Sequence, residues 1–252
     1  MVWGTLLASV LCVVENALYR TGERTYTIGM GTRGPKPKLL IDTSWRPELA
    51  YAVGLIASDG CLSPDGRHID LTSKDVSQLQ TFKRILGIEH IVIGKKKGGY
   101  GNTLCYHVQF GSVVFYEWLM SIGLSSRKSH TIGALLVPDE FFADFLRGIF
   151  DGDGCIYSYM DKRWKHSYMV YIDIASASHP FLLWMQNTAE RLYGVQGVIK
   201  GKSVRRVYLL SYAKEASFIL LNYMYAQDHA PRLTRKFTKV QNIRIMDMTV
   251  KQ

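Results

Sequence analysis

The sequence predicts an α+β protein in which one helix–hairpin–helix–hairpin–helix plan is used twice, and three observations predict it. First, "YAVGLIASDGCL" (51–62) recurs as "FLRGIFDGDGCI" (145–156), with Gly54 matching Gly148, Asp59 matching Asp153 and "DGC" repeated. Second, the segments downstream of each copy recur in the same order: "HIDLTS" (68–73) as "YIDIAS" (171–176), and "GLSSRKSHT" (123–131) as "APRLTRKFT" (230–238). A repeat that keeps its order over this length marks a duplicated structural unit, not chance matches of short words. Third, the apolar pattern switches between helical and strand periods at matching places in both copies.

Taken in order, each half opens on an apolar helix that ends in Asp-Gly. In "RHIDLTS", Ile69 and Leu71 alternate with His68, Asp70 and Thr72, as in a half-buried strand, and "SPDG" (63–66) supplies the turn before it. "KDVSQLQTFKRILGI" and "ASHPFLLWMQNTAERLYGV" then read as helices. "IVIGKKKGGYG" with "TLCYHVQF" forms a second hairpin, matched by "VIKGKSVRRVYLLSY" (198–212). "VVFYEWLMSIG" and "EASFILLNYMY" each carry one apolar stripe and read as helices. Each half thus pairs a sheet having one polar, partly basic face with helices on the other face. The organisation expected is an N-terminal extension and basic arm (1–47), a first half (48–138) and a second half (139–252).

The two opening helices carry the chemistry. Glycine inside a helix costs about 1 kcal/mol relative to alanine, so it needs a geometric reason. Gly54 and Ser58 are four apart and share a face, and Gly148 and Gly152 repeat the spacing. Small residues on one face let two backbones approach closely, so the helices are expected to pack in parallel about a pseudo-twofold axis. That packing sets Asp59 beside Asp153, with Gly60 and Gly154 read as left-handed glycines turning the chain out of each helix. Two carboxylates at two negative helix ends repel each other and both macrodipoles. The expectation is that a divalent cation neutralises them. Oxygen ligands at an open, hydrated site suit Mg²⁺, and paired acids with divalent metal suit phosphodiester hydrolysis.

Composition points the same way. Lys and Arg number 31 against 21 Asp and Glu, a formal charge of +10, which favours a polyanionic partner: nucleic acid first, an anionic membrane surface second. The four cysteines are scattered and lack zinc-ligand spacing, as in a reduced intracellular protein of cytoplasm or organelle matrix. Cys61 and Cys155, which come directly after the motif glycines, read as small buried residues beginning a strand. His130 and His166 have no partner pattern. The apolar "WGTLLASVLCVV" (3–14) is too short to span a bilayer and no basic residue precedes it. It is read as a non-essential extension ahead of an alternative start at Met30, with a signal-peptide core or a packed helix as the other readings. "RGPKPK" (33–38) reads as a basic arm, either a solubilising linker or a backbone clamp.

"AVGLIASDG" (52–60) and "LRGIFDGDG" (146–154) resemble the paired motifs of the LAGLIDADG homing endonuclease family, a resemblance covering about residues 48 to 245. The second motif matches closely, whereas in the first Ala57 stands where the family has its first acid; the last acid, Asp59, is kept. The resemblance implies a monomer of two pseudo-symmetric αββαββα halves, each a saddle-shaped antiparallel sheet covered by helices, joined through the paired motif helices. It implies double-stranded DNA with a long, near-unique site as partner, a staggered cut, and intron or intein homing. It implies Mg²⁺ as cofactor, with Mn²⁺ as a substitute and Ca²⁺ supporting binding without cleavage. Asp59 and Asp153 would then hold metal with backbone carbonyls near Ser58 and Gly152, and Lys128 and Lys236 would complete the catalytic set. Ser73 and Ser176 fit the family's polar contacts to the water network, though helix capping accounts for them as well.

A two-stranded ribbon in the major groove presents alternate side chains to base edges. The candidates are His68, Asp70, Lys95, Lys97, His107 and Gln109 in the first half, and Tyr171, Asp173, Lys200, Lys202 and Arg206 in the second, with Arg127 and Arg235 on phosphate. "KKK" (95–97) serves phosphate as readily as bases. Two other functions use the same fold: an RNA maturase that binds intron RNA, and a DNA-binding regulator that no longer cuts. Retention of both last acids and both "RK" lysines favours the nuclease, because a pure binder has no use for acids that repel phosphate.

Overall fold

The computed structural model describes residues 40–97, 104–126, 128–163, 167–202 and 207–250. The readings made for 3–14, Met30 and 33–38 lie outside the described residues, as do Arg127, His166 and Arg206. Two four-stranded antiparallel sheets and their helices form two halves of the same plan.

Helix α1 (Pro47–Asp59) starts on Pro47, whose missing N–H costs a first turn nothing. Its residues Leu49 to Ala57 are buried on every face, because the helix lies between the two halves and not on a surface. Strands β1 (Gly60–Leu62) and β2 (His68–Ser73) form the first hairpin. Helix α2 (Val76–Leu86) stops at Gly87, where a φ of 66° favours glycine. Strands β3 (Gly94–Lys97) and β4 (Leu104–Gly111) complete a sheet of order β1-β2-β4-β3. Helix α3 (Val113–Ser121) is capped by Ser112, whose hydroxyl accepts from the Phe115 N–H, and a single turn, α4 (Lys128–Thr131), ends the half.

The second half repeats this with α5 (Phe142–Asp153), β5 (Gly154–Met160), β6 (Tyr168–Ser176), α6 (His179–Tyr193), β7 (Val198–Lys202), β8 (Val207–Tyr212) and α7 (Lys214–Met224). Its sheet order is β5-β6-β8-β7, and it ends in a 17-residue helix, α8 (Thr234–Val250). The period-2 pattern is realised as expected. Ile69 and Leu71, and Val170, Ile172 and Ile174, are buried under the helices, while the alternate residues face outward. No described helix is long and apolar enough to cross a membrane.

The halves meet where α1 packs along α5. An added Cβ on Gly54 would lie 2.9 Å from the Gly148 Cα, and one on Gly148 would lie 2.9 Å from the Gly54 Cα. Backbone touches backbone at that crossing, so the helical glycines have the geometric reason the sequence demanded.

Two expectations are corrected. Gly60 and Gly154 are extended (φ −81° and −83°), not left-handed. They are needed for closeness: a Cβ on either would lie 2.6 Å from a carbonyl oxygen one turn back, Ile56 or Phe150. Cys61 and Cys155 are exposed, not buried. They are the second residues of β1 and β5, opposite Asp70 and Asp173, so alternation turns them to the outer face.

Candidate active site and nucleic-acid interface

Asp59 and Asp153 are the last residues of α1 and α5, and β1 and β5 leave directly from them. The side-chain-free face of Gly152 lets the pair converge: a Cβ there would sit 3.0 Å from Asp59 Oδ2. Both residues remain exposed to solvent at the helix ends. Partial burial first, and the Asp153 charge second, raise Asp59 to about 6, and burial raises Asp153 also. The rise that the Asp153 charge causes at Asp59 is what a second like charge close by produces.

The sequence expectation that a metal ion alone makes these acids tolerable is corrected by the lysines. Lys128 and Lys236 are only 8% and 9% exposed. The Lys128 ammonium donates to the carbonyls of Ala57 (2.7 Å) and Ser58 (2.8 Å), capping α1. The Lys236 ammonium lies among the carbonyls of Phe150, Asp151 (2.9 Å), Gly152 (3.0 Å) and Gly154 (2.7 Å), capping α5. Two buried cations therefore satisfy orphan helix-end carbonyls and offset both macrodipoles and both acids. Burial pushes each lysine's pKa down, and nearby aspartates push it back up. The pairing is crosswise: among the lysines, Lys236 acts most strongly on Asp59 and Lys128 on Asp153.

Could these groups also hold a metal? The donors are hard oxygens: two carboxylates, plus the Ser58 and Gly152 carbonyls, which keep a second lone pair beyond the lysine bond. Among the described residues no cluster of three or more His, Cys, Asp or Glu occurs. A small set of oxygen ligands that leaves room for several waters fits Mg²⁺ better than Zn²⁺ or a caged Ca²⁺.

The acid missing from the first motif has a structural counterpart. Asp151 points inward, where one oxygen accepts from the Tyr51 hydroxyl (2.9 Å) and from the Leu233 N–H (2.7 Å). It therefore anchors the start of α8, and burial raises its pKa to about 6. Ala57 can anchor nothing, and the matching element there is the single turn α4. Next to Asp151, Arg147 is 1% exposed and binds Asp144 (2.7 Å) and the carbonyls of Pro231 (2.8 Å) and Met224. Sequence reading missed it; the Asp144–Arg147 spacing of three was the available signal.

A cleft of about 260 Å³ at Asp153 is lined also by Ser58, Lys128, Ser176 and Val207, so both halves contribute to it. Ser176 also accepts from the Ser178 N–H (3.1 Å) ahead of α6. Ser73 accepts from the Asp75 N–H (3.1 Å) and donates to Gln78 (2.7 Å), the turn-forming use of a serine before a helix.

On the outer face of the first sheet, Asp70 stands opposite Gln109, and Thr72 opposite His107. Asp70 is held by His107 (3.1 Å) and by Lys96 (3.1 Å). Lys96 therefore shares the Asp70 face, while Lys95 and Lys97 alternate to the other side of β3. His68 bonds Asp65, its neighbour in the turn. In the second sheet, Asp173 accepts from Ser211 (2.6 Å), Tyr171 stands opposite Tyr157, and Lys200 and Lys202 take register positions opposite Leu209 and Val207. Arg235 is exposed and bonds Asp75 of the other half (2.9 Å).

The raised acid has a measurable consequence for stability. Between pH 3.8 and about 6, folded Asp59 holds a proton that the unfolded chain has released, so its contribution to stability is lost as pH rises through 6. Asp59→Asn is therefore expected to melt higher than the native chain at pH 7.5 in metal-free buffer, and to lose that advantage below pH 3.8. Thermal melts across pH check this; an equal melting temperature at all pH values would contradict it.

No protein-family model and no curated protein matches the chain. Solved structures do. The homing endonuclease I-DmoI in complex with DNA and Ca superposes with TM-score 0.52 at 18% identity, covering 77% of this chain and 97% of its own. The homing endonuclease I-WcaI bound to its DNA recognition sequence gives TM-score 0.51 at 12% identity, covering 72% and 84%. The N-terminal LAGLIDADG domain of DUF199/WhiA is also similar, at TM-score 0.49 and 11% identity, covering 78% and 88%. With two αββαββα halves joined through glycine-packed helices that end in paired acids, the chain has the two-half LAGLIDADG fold.

Proposed function

We propose that the chain is a monomeric, site-specific endonuclease of double-stranded DNA that uses a divalent metal ion. The single observation that carries this is the pair of raised carboxylates brought together at the ends of the packed helices, each opposed by a lysine from across the seam. A structural helix stop has no need of two converging acids, and a passive DNA-binding surface is weakened by them. Bound there, Mg²⁺ would supply Lewis-acid stabilisation of phosphate oxygens and a more acidic water. Asp59 and Asp153 would hold it, with the Ser58 and Gly152 carbonyls. Lys128 and Lys236 fix the helix ends, and with them the positions of both carboxylates. The strands leave from the acids, so their outer faces extend the site outward on each side, and the formal charge of +10 favours approach of a duplex.

A non-cleaving regulator is the second reading, favoured by one observation: the two carbonyls wanted by the metal already accept from lysines. Selection from a random duplex library separates the two. The expected outcome is binding in Ca²⁺ and staggered cutting of the same duplex in Mg²⁺. Binding without cutting in either ion leaves the regulator, and tighter binding of intron RNA leaves the maturase. Affinity is also expected to fall steeply with salt, by about 0.9 log unit per log unit of salt for each phosphate contacted. A flat salt response would remove nucleic acid as the partner.

A further inference from the structure

The two outer faces differ in chemistry more than in shape. The first sheet presents Asp70, Lys96, His107 and Gln109, all hydrogen-bonding groups. The second carries a tyrosine ladder. Tyr157 stands opposite Tyr171 across β5 and β6, with ring centroids 5.5 Å apart and planes 19° apart, and Tyr159 lies 6.2 Å from Tyr171 at 12°. Tyr157 is 37% exposed and Tyr159 48%, an unfavourable placement for large aromatics unless something covers them. Val198, 58% exposed, and Leu209 lie on the same face.

The polar atoms of the ladder are largely engaged within it. Asp173 takes the Ser211 hydroxyl at 2.6 Å and also interacts with the Tyr157 hydroxyl, and Tyr159 interacts with Tyr171 in the same way. What the ladder itself leaves outward is carbon, with Lys200 on the same face at the far strand, opposite Leu209. Among the described residues the first sheet has no counterpart, since β1 ends at Leu62 and the chain turns back by His68. The rings are also too close to admit a base between them, which would need two contacts of about 3.5 Å each. A stacked aromatic slab of this kind suits a groove, not an unstacked strand. In the major groove the one apolar group on a base edge is the thymine methyl.

We propose that the second sheet reads its half of the duplex through carbon, with Tyr157, Tyr159 and Tyr171 packing on thymine methyl groups, while the first sheet reads its half by hydrogen bonds. This rests on the DNA-binding part of the proposed function. Duplexes selected from a random library in Ca²⁺ are the probe, with deoxyuridine replacing thymine in one half-site at a time. That change removes the methyl and leaves every hydrogen-bonding group in place. Binding is expected to weaken about fourfold per methyl lost in one half-site, and to hold within twofold in the other. In the Tyr159→Ser/Tyr171→Ser variant, with unchanged circular dichroism and melting cooperativity, the uridine effect is expected to vanish. Binding that tolerates uridine in both halves, or selected sites without thymine in either, overturns this inference while leaving the DNA reading intact. Failure to bind any duplex overturns the DNA reading and this inference with it. Tighter binding of single-stranded RNA, lost in the same variant, overturns it in favour of base stacking.

Discussion

Asp153→Asn is expected to lower cleavage of the selected duplex by about a thousandfold or more, while affinity in Ca²⁺ stays within a few-fold. The magnitude reflects removal of an anionic metal ligand, since metal assistance supplies several kcal/mol and each 1.36 kcal/mol is tenfold in rate. Carboxamide matches carboxylate in shape, so the contacts of α5 and the Lys236 cap on its last carbonyls persist. Neutralisation also relieves repulsion with Asp59, whose carboxyl is raised in part by Asp153. The variant should accordingly fold at least as stably as the native chain, and loss of cutting cannot be assigned to unfolding. Single-turnover cleavage with parallel binding isotherms checks it. A variant that cuts at the native rate would remove Asp153 from the chemistry.

Gly148→Ala is expected to destabilise the fold by about 3 kcal/mol or more, at or above the usual range for overpacked cores. The new methyl would meet the Tyr51 carbonyl oxygen, the Gly54 Cα at 2.9 Å and the Leu55 N at 3.0 Å. All three are backbone atoms within a helix, so no side chain can rotate away. Relief requires moving α1 off α5, which would loosen the buried Leu49, Leu55, Ile56, Phe145 and Phe150 together. Against a total stability of about 5–15 kcal/mol this is a large loss. Gly133→Ala is the control: nothing lies within 4 Å of a Cβ there, and a change within about 0.5 kcal/mol is expected. Urea unfolding of both variants decides the matter, and equal midpoints would mean that the helices do not need their contact.

Much of this architecture was legible because local chemistry and tertiary need coincide. The alternation around Ile69 and Leu71 and the helical Gly54 and Gly148 each had one physical explanation, and the fold contains it. Residues whose surroundings come from distant sequence were harder to read. Lys128 looks like a solvated or transition-state lysine beside Arg127, yet its partners are carbonyls 70 and 71 residues away. Lys96 and Lys97 differ only by strand phase, which a basic run with no apolar alternation does not reveal. Cys61 and Cys155 suit the core by size, and strand register places them outside.

By itself, the sequence determined the duplicated plan, the sheet faces and the convergence of Asp59 with Asp153, because periodicity and glycine spacing act within a few residues of chain. Only the tertiary structure decided how that convergence is tolerated. Electrostatic compensation depends on distance in space, and the ammonium groups of Lys128 and Lys236 reach the helix ends from segments far along the chain.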